Sequence, residues 1–248
     1  MLTSDSFVGN ADWAVYYDVT PDEFGQDSNL SGAGNGHDAV GFVGGSVSGS
    51  WSTVNLGLPL VLAGDATVNA GATLSLASGS ALHMIGNLYV AGNLNMVGTA
   101  TAPISLTTAS VTPTVGQWGS LYFRPGSDGN LSYVHLSYGG SGAFGAIVVE
   151  GSGPVISNSI IDNSGSSDVG VTGGDHPILH NDVFGAVPSN YSGVATTWAP
   201  GQPRINATYN WWGDPSGPSG SGLGAGVPVG NGVNILPWLT SNAAAGAL

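Results

Sequence analysis

The chain has 248 residues, of which 42 are glycine, and only 7 % carry a charged side chain, against the roughly 25 % of an ordinary soluble domain. Lysine is absent, so Arg124 and Arg204 face 15 acids and the net charge is −13. This excludes a phosphate-neutralising nucleic-acid binder and a polybasic membrane-docking surface, and the lack of cysteine excludes disulfides, zinc–thiolate sites and thiol catalysis.

The length fits one domain or one domain with a small extra piece. The start, Met1-Leu-Thr-Ser-Asp-Ser6, has neither a basic nor an apolar leader region, and the longest apolar stretch, near Leu56–Ala63, is too short to span a membrane. The composition fits an extracellular or cell-surface setting, with this chain a mature protein or a piece of a longer one. Residues 1–50 stand apart from the rest of the chain. Trp13-Ala-Val-Tyr-Tyr-Asp-Val19 reads as one strand and Gln26–Gly36 as a polar loop. This extension is expected to cap the next domain, to link it to another, or to donate a strand to a neighbour. Its acids Asp18, Asp22, Glu23 and Asp27 are the densest carboxylate group and the candidate Ca²⁺ ligands, although they lack EF-hand spacing.

From residue 51 short apolar–polar alternations succeed one another, each bounded by Gly or Asn: Thr67-Val-Asn69, Thr73-Leu-Ser-Leu76, Ala81-Leu-His-Met84, Leu88-Tyr-Val90 and Leu94-Asn-Met96. These predict strands of three to five residues with tight turns, and no helix. Farther on the runs recur. Leu121-Tyr-Phe, Ala146-Ile-Val-Val, Val169-Gly-Val and Gly193-Val-Ala start 25, 23 and 24 residues apart. Leu131–Leu136, Ile156–Ile161 and Leu179–Phe184 start 25 and 23 apart, and Ile205 comes 26 after Leu179. A period near 24 with two or three strands per repeat predicts a right-handed parallel β-helix of about six or seven coils over 51–239, then a tail at 240–248. Leu131, Ile156, Leu179 and Ile205 should stack as one apolar row, Leu136, Ile161 and Phe184 as another, and Asn158 and Asn181 as an internal amide ladder. Pro154, Pro177 and Pro203 should mark one corner.

Several segments resemble the bacterial right-handed β-helix surface modules of the pectate-lyase-like type. Gly64–Gly79 and Trp118-Gly-Ser-Leu-Tyr-Phe123 look like their early coils, and Pro154-x-Ile-x-Asn158…Asn163 like their middle coils. Asn210-Trp-Trp-Gly-Asp-Pro-Ser-Gly-Pro218 with the later Leu236-Pro-Trp-Leu239 resembles the way such modules end. The resemblance covers about Trp51–Leu239 and implies the fold. Such proteins include both adhesins and polysaccharide-active enzymes, so it implies no single function.

A lyase needs a strong base beside acids, and Arg204 with Asp182 is the candidate. A hydrolase needs two carboxylates, to be found among Asp162, Asp168, Asp175 and Asp182. Both arginines are otherwise expected to pair with local carboxylates. His180 and Asp182 share a strand face but supply only two metal ligands. Exposed Trp198, Tyr122 and Tyr138 are the candidate sugar-stacking residues. Trp211 and Trp212 read as a plug over the last coil, one ring in and one out. Asn29, Asn130, Asn190 and Asn206 match N-x-S/T, a pattern that chance supplies freely in a chain this rich in Asn and Ser. The leading expectation is a non-catalytic extracellular structural module (spacer, adhesin segment or filament subunit) that assembles head to tail with itself. The alternatives are a carbohydrate-binding module on a surface polysaccharide, and a polysaccharide lyase or hydrolase. No cofactor is expected, Ca²⁺ being the one that the acidic segment could hold. Neither nucleic-acid binding nor membrane insertion is expected.

Overall fold

The computed structural model describes residues 2–17, 28–53, 56–142, 144–151, 153–172, 178–180, 183–185 and 190–242. Among these residues every regular element is a strand. The first are β1 (Ser6–Val8), β2 (Trp13–Tyr17) and β3 (Ser31–Ala33). They are succeeded by β4 (His37–Phe42), β5 (Gly45–Val47) and β6 (Ser50–Ser52), and by β7 (Leu60–Leu62), β8 (Ala66–Val68) and β9 (Thr73–Leu76). Next come β10 (Ala81–Met84), β11 (Leu88–Val90) and β12 (Asn93–Val97), then β13 (Ile104–Thr108), β14 (Leu121–Phe123) and β15 (Asp128–Ser132). The chain continues with β16 (Val134–Ser137), β17 (Gly145–Glu150), β18 (Val155–Ser157), β19 (Ile160–Asp162), β20 (Ser167–Thr172) and β21 (Ile178–His180). It ends with β22 (Val183–Phe184), β23 (Val194–Thr196), β24 (Ile205–Asn206), β25 (Pro218–Gly220), β26 (Gly226–Val229) and β27 (Val233–Asn234).

The strands from β4 to β24 enter three parallel sheets in strict rotation. The first sheet has the order β2-β4-β7-β10-β13-β16-β19-β22, the second β5-β8-β11-β14-β17-β20-β23-β26-β25, and the third β6-β9-β12-β15-β18-β21-β24-β27. Each of these strands except β22 therefore pairs with the third strand on. Every pairing between these strands is parallel, so none is a hairpin, and β25 with β26 is the one consecutive pair among the described strands.

In-register pairing stacks like on like. Val40, Leu60, Leu82, Leu106, Leu136, Ile161 and Phe184 form one row of the first sheet, and all seven are buried. Val47, Val68, Val90, Phe123, Val149 and Val171 form a row of the second. The alternation of short strands puts the intervening Thr, Ser, Tyr and Asn outward. The apolar side chains merge into one continuous core that extends from Val15 to Val233.

The expected row Leu136–Ile161–Phe184 is present, and so is Leu131–Ile156–Leu179. Ile205 does not extend the latter. Asn206 stands opposite Ile178, so Ile205 is two positions out of line with Leu179 and starts a row with Val233 instead. The runs Leu131–Leu136 and Ile156–Ile161 each divide between two sheets. Tyr133 (φ 51°) and Asn158 (φ 52°) adopt left-handed backbone there and turn the chain through a corner. Asn158 is thus a corner residue, suited to that conformation by its short polar side chain. Its expected partner Asn181 lies outside the described residues.

A polar ladder runs up a different edge. Asp65 Oδ1 accepts from the Asn87 N–H (2.7 Å) and from Asn87 Nδ2 (3.1 Å). Asn87 Oδ1 accepts from Ser120 N–H (2.9 Å), and Ser120 Oγ donates to Gly145 O (2.7 Å). Gly119 makes room for it, since a Cβ there would sit 2.3 Å from Asn87 Oδ1.

Segment 1–50 contributes β2, β4, β5 and the start of β6 to the same three sheets, with Val15 opposite Val40 and Val40 opposite Leu60. At the other end Trp212 is fully buried and stacks on Phe184 (centroids 4.7 Å apart, planes 21°), while Trp211 remains half exposed. One ring is in and the other half out, as alternation leads one to expect.

Candidate functional site

The row of the second sheet that alternates with its buried valine row reads Ser46, Thr67, Tyr89, Tyr122, Val148, Gly170 and Ala195, of which Val148 and Gly170 are covered and buried. Tyr122 points outward because Leu121 and Phe123 on either side of it are fully buried. Tyr89 is its in-register neighbour, with ring centroids 5.7 Å apart and planes inclined by 51°. Arg124 lays its guanidinium over the Tyr89 ring, 4.8 Å from the centroid. The Tyr122 hydroxyl donates to Glu150 Oε1. Phe123 pairs with Val149, so Arg124 and Glu150 occupy adjacent rungs. Among the described residues they form no ion pair, and each turns to a tyrosine instead.

The resulting patch has two tilted aromatic rings, a stacked cation and a carboxylate, with both rings and Glu150 half-buried and Arg124 exposed. A tyrosine ring offers an apolar plane for C–H contacts, and the flanking charged groups offer donors and acceptors for hydroxyls. Partial burial, then the bond to Glu150 and its charge, push the Tyr122 phenol up to about 12, against the opposing charge of Arg124. A phenol with a raised pKa adds stability that is fully present below its ordinary pKa of about 10 and is lost as pH rises through about 12. Ultraviolet titration should thus show one tyrosine ionising about two units late. Glu150→Gln should bring that step back toward the others, and an unchanged titration curve would contradict the Tyr122–Glu150 bond.

The expected binding residues do not converge on this patch. Only Tyr122 belongs to it. Tyr138 sits at a corner after β16 (φ 63°) and packs against the core. Trp198 is locked in the loop after β23. Its Nε1–H donates to Gln202 O (3.0 Å), the Arg204 guanidinium covers it at 5.4 Å, and Gly232 is pressed so close that a Cβ would lie 2.1 Å from the indole. The sequence leads one to expect carboxylate partners for the arginines. Instead both stack on aromatic rings, which suits a planar, weakly hydrated cation.

The alternative catalytic residues are likewise separated. Asp162 lies on the first sheet, where its Oδ1 is 3.2 Å from His135 Nε2. Arg204 lies beside β24 of the third sheet. Asp182 and Asp175, and all four proposed Ca²⁺ ligands Asp18, Asp22, Glu23 and Asp27, lie outside the described residues. Among the described residues there is no group of three or more His, Asp or Glu placed to hold a metal, and no helix long and apolar enough to cross a membrane.

Asp168, another of the hydrolase candidates, is fully buried. Ser164 Oγ donates to its Oδ1 (2.6 Å), while Oδ2 has no partner. Burial raises its pKa well above the ordinary carboxyl value. The nearby charge of Asp162 adds to the shift and the Ser164 bond opposes it. Such a group is sealed from any polymeric substrate.

Tyr89, Glu150 and His135 escape the sequence reading. Tyr89 is legible as a strand residue, but 33 positions separate it from Tyr122. The loop between β13 and β14 stretches that circuit and hides the pairing. No known protein family, no curated protein and no solved structure matches this chain.

Proposed function

We propose that the chain forms a closed right-handed β-helix of the pectate-lyase-like type and serves as a non-catalytic structural module at the cell surface, as a spacer, adhesin segment or self-assembling subunit. The observation that carries this reading is the three-sheet rotation, in which every three successive strands add one to each sheet. A ladder of that kind can be continued by a second copy stacked on an end strand, which is a heterologous, fibre-forming contact. The near absence of basic charge and the small polar outward residues suit an exposed rod. The separation of Arg204 from Asp162 on different sheets weighs against those residues forming one catalytic site.

Electron microscopy of the purified chain at rising concentration, with and without Ca²⁺, tests it. Regular filaments support the self-assembling subunit, and a Ca²⁺ requirement would point to segment 18–27. Discrete particles at every concentration remove self-assembly and leave the spacer. Polysaccharide cleavage that is lost in Arg204→Ala or Asp162→Ala would overturn the non-catalytic reading.

A second reading, glycan binding on the second sheet, is favoured by the Tyr89–Tyr122–Arg124–Glu150 patch. Tyr89→Ala and Tyr122→Ala should each weaken any glycan retained by the wild type about tenfold or more, as loss of a stacking ring would. Retention unchanged in both variants would remove that reading.

A further inference from the structure

Tyr89 and Tyr122 are in-register neighbours on β11 and β14, so their side chains leave the sheet on the same side, one strand spacing of about 4.8 Å apart. Leu88, Val90, Leu121 and Phe123, which flank them, are fully buried and hold both backbones in place. The ring centroids are 5.7 Å apart. Rotation of a ring about its Cβ–Cγ bond swings the carbons beside its hydroxyl toward the other ring. Those carbons share the unpaired electron of a phenoxyl radical with the oxygen, and they are where two such radicals join.

The charged neighbours suit the pair to oxidation. The Tyr122 hydroxyl donates to Glu150 Oε1. A phenol that loses an electron becomes strongly acidic and must release its proton, and Glu150 is already in place to accept it. Before that, Tyr122 holds its proton at neutral pH, because partial burial and then the bond to Glu150 and its charge raise its pKa. The Arg124 guanidinium, 4.8 Å from the Tyr89 centroid, disfavours positive charge on that second ring. The first electron therefore leaves from Tyr122.

We propose that Tyr89 and Tyr122 are a site of oxidative modification, at which a one-electron oxidant of the haem peroxidase type, fed with hydrogen peroxide, joins the two rings as dityrosine. Each phenol loses one electron and its hydroxyl proton, that of Tyr122 passing to Glu150. The two radicals then form one Cε–Cε bond. The hydrogens on the joined carbons leave as protons while both oxygens are reprotonated, which restores the phenols. The chain loses two hydrogen atoms in all, and one peroxide is reduced to two waters. The new bond staples β11 to β14 across the 33 positions from Tyr89 to Tyr122, in a chain whose lack of cysteine excludes a disulfide. This rests on the geometry of the tyrosine patch and not on that patch binding a glycan.

The test treats dilute protein with peroxidase and peroxide and, separately, with a photo-excited ruthenium trisbipyridyl complex and persulfate, which accepts the same two electrons. The expected product is a monomer with dityrosine fluorescence, lighter by two hydrogen atoms, that yields on proteolysis a fragment joining Tyr89 to Tyr122. Tyr89→Phe and Tyr122→Phe keep the rings, and each should abolish that product. Glu150→Gln keeps an oxygen for the hydrogen bond but loses the base, and should slow the initial rate about tenfold or more at neutral pH. The linked chain should melt on the order of 10 °C higher. No joined fragment with either oxidant, a link found only between chains or at other tyrosines, or monomer fluorescence that survives both phenylalanine variants overturns the site. Equal rates in wild type and Glu150→Gln overturn the role of Glu150 as proton acceptor. An unchanged melting temperature overturns the staple.

Discussion

Trp212→Ala should cost about 3–5 kcal/mol, the range for emptying a buried aromatic site. Trp212 is fully buried and stacked on Phe184 at 4.7 Å. Its carbonyl accepts from Val227 N–H (2.7 Å) and that of Trp211 from Phe184 N–H (3.1 Å), which ties this segment to β22 and β26. Its Nε1 has no hydrogen-bond partner. The cost is therefore one of lost volume and dispersion, and Trp212→Phe should recover more than half of it. For a chain of this length the alanine variant should melt on the order of 10 °C lower. Each strand hydrogen-bonds only to its neighbours along one sheet, so the damage should begin locally. Amides of β23 to β27 should exchange faster, while those of β7 to β12 keep their protection. A loss below about 1 kcal/mol would mean that Trp212 does not close the core.

Asp168→Asn should stabilise the protein at neutral pH and do little at acid pH. The wild-type carboxyl is buried with one unpartnered oxygen, and its pKa is raised by that burial. A carboxyl with a raised folded pKa holds its proton in the native state after the unfolded chain has released its own. Its contribution is fully present below the ordinary value near 3.8 and is lost as pH rises toward the folded value. Within that window the wild type should lose up to about 1.4 kcal/mol per pH unit through this group. The asparagine amide keeps an oxygen for the Ser164 hydroxyl and has no proton to lose. Denaturation curves of the two proteins should therefore converge near pH 4 and diverge as pH rises, the variant being the more stable. Parallel curves, or a variant weaker at every pH, would show that the Asp168 environment differs from the one described.

Legibility in the sequence tracks the local regularity of each part. Leu136, Ile161 and Phe184 stack as expected because they are separated by near-constant steps and flanked by turns. The Trp211–Trp212 pair is legible because alternation alone decides which ring goes in. The corner inside Leu131–Leu136 is not, because Tyr133 takes a left-handed backbone that nothing about tyrosine advertises. Of the N-terminal strands β2 is legible as the Trp13–Val19 run, but β4 escapes for a different reason. In β4 the buried residues Ala39, Val40, Gly41 and Phe42 are consecutive, which erases the alternation. The row through the first sheet also steps by as few as 20 residues (Val40 to Leu60) and as many as 30 (Leu106 to Leu136), so one fixed period finds only the middle circuits. The site is less legible than the fold. Which tyrosines meet depends on register across a long loop. Whether an arginine finds a carboxylate or a ring depends on rotamers that local sequence does not encode. Arg124 shows this, with Glu150 one strand away and Tyr89 chosen instead.

The whole architecture rests on strands pairing, parallel and in register, with the third strand on. Interstrand nuclear Overhauser contacts in a deuterated sample test this most directly. Backbone contacts should link Leu88 to Leu121, Leu121 to Ile147, Ile147 to Val169 and Val169 to Val194, all in the parallel pattern. Contacts joining consecutive strands instead, such as β10 with β11 in an antiparallel pattern, would contradict the three-sheet architecture and every functional proposal built on it.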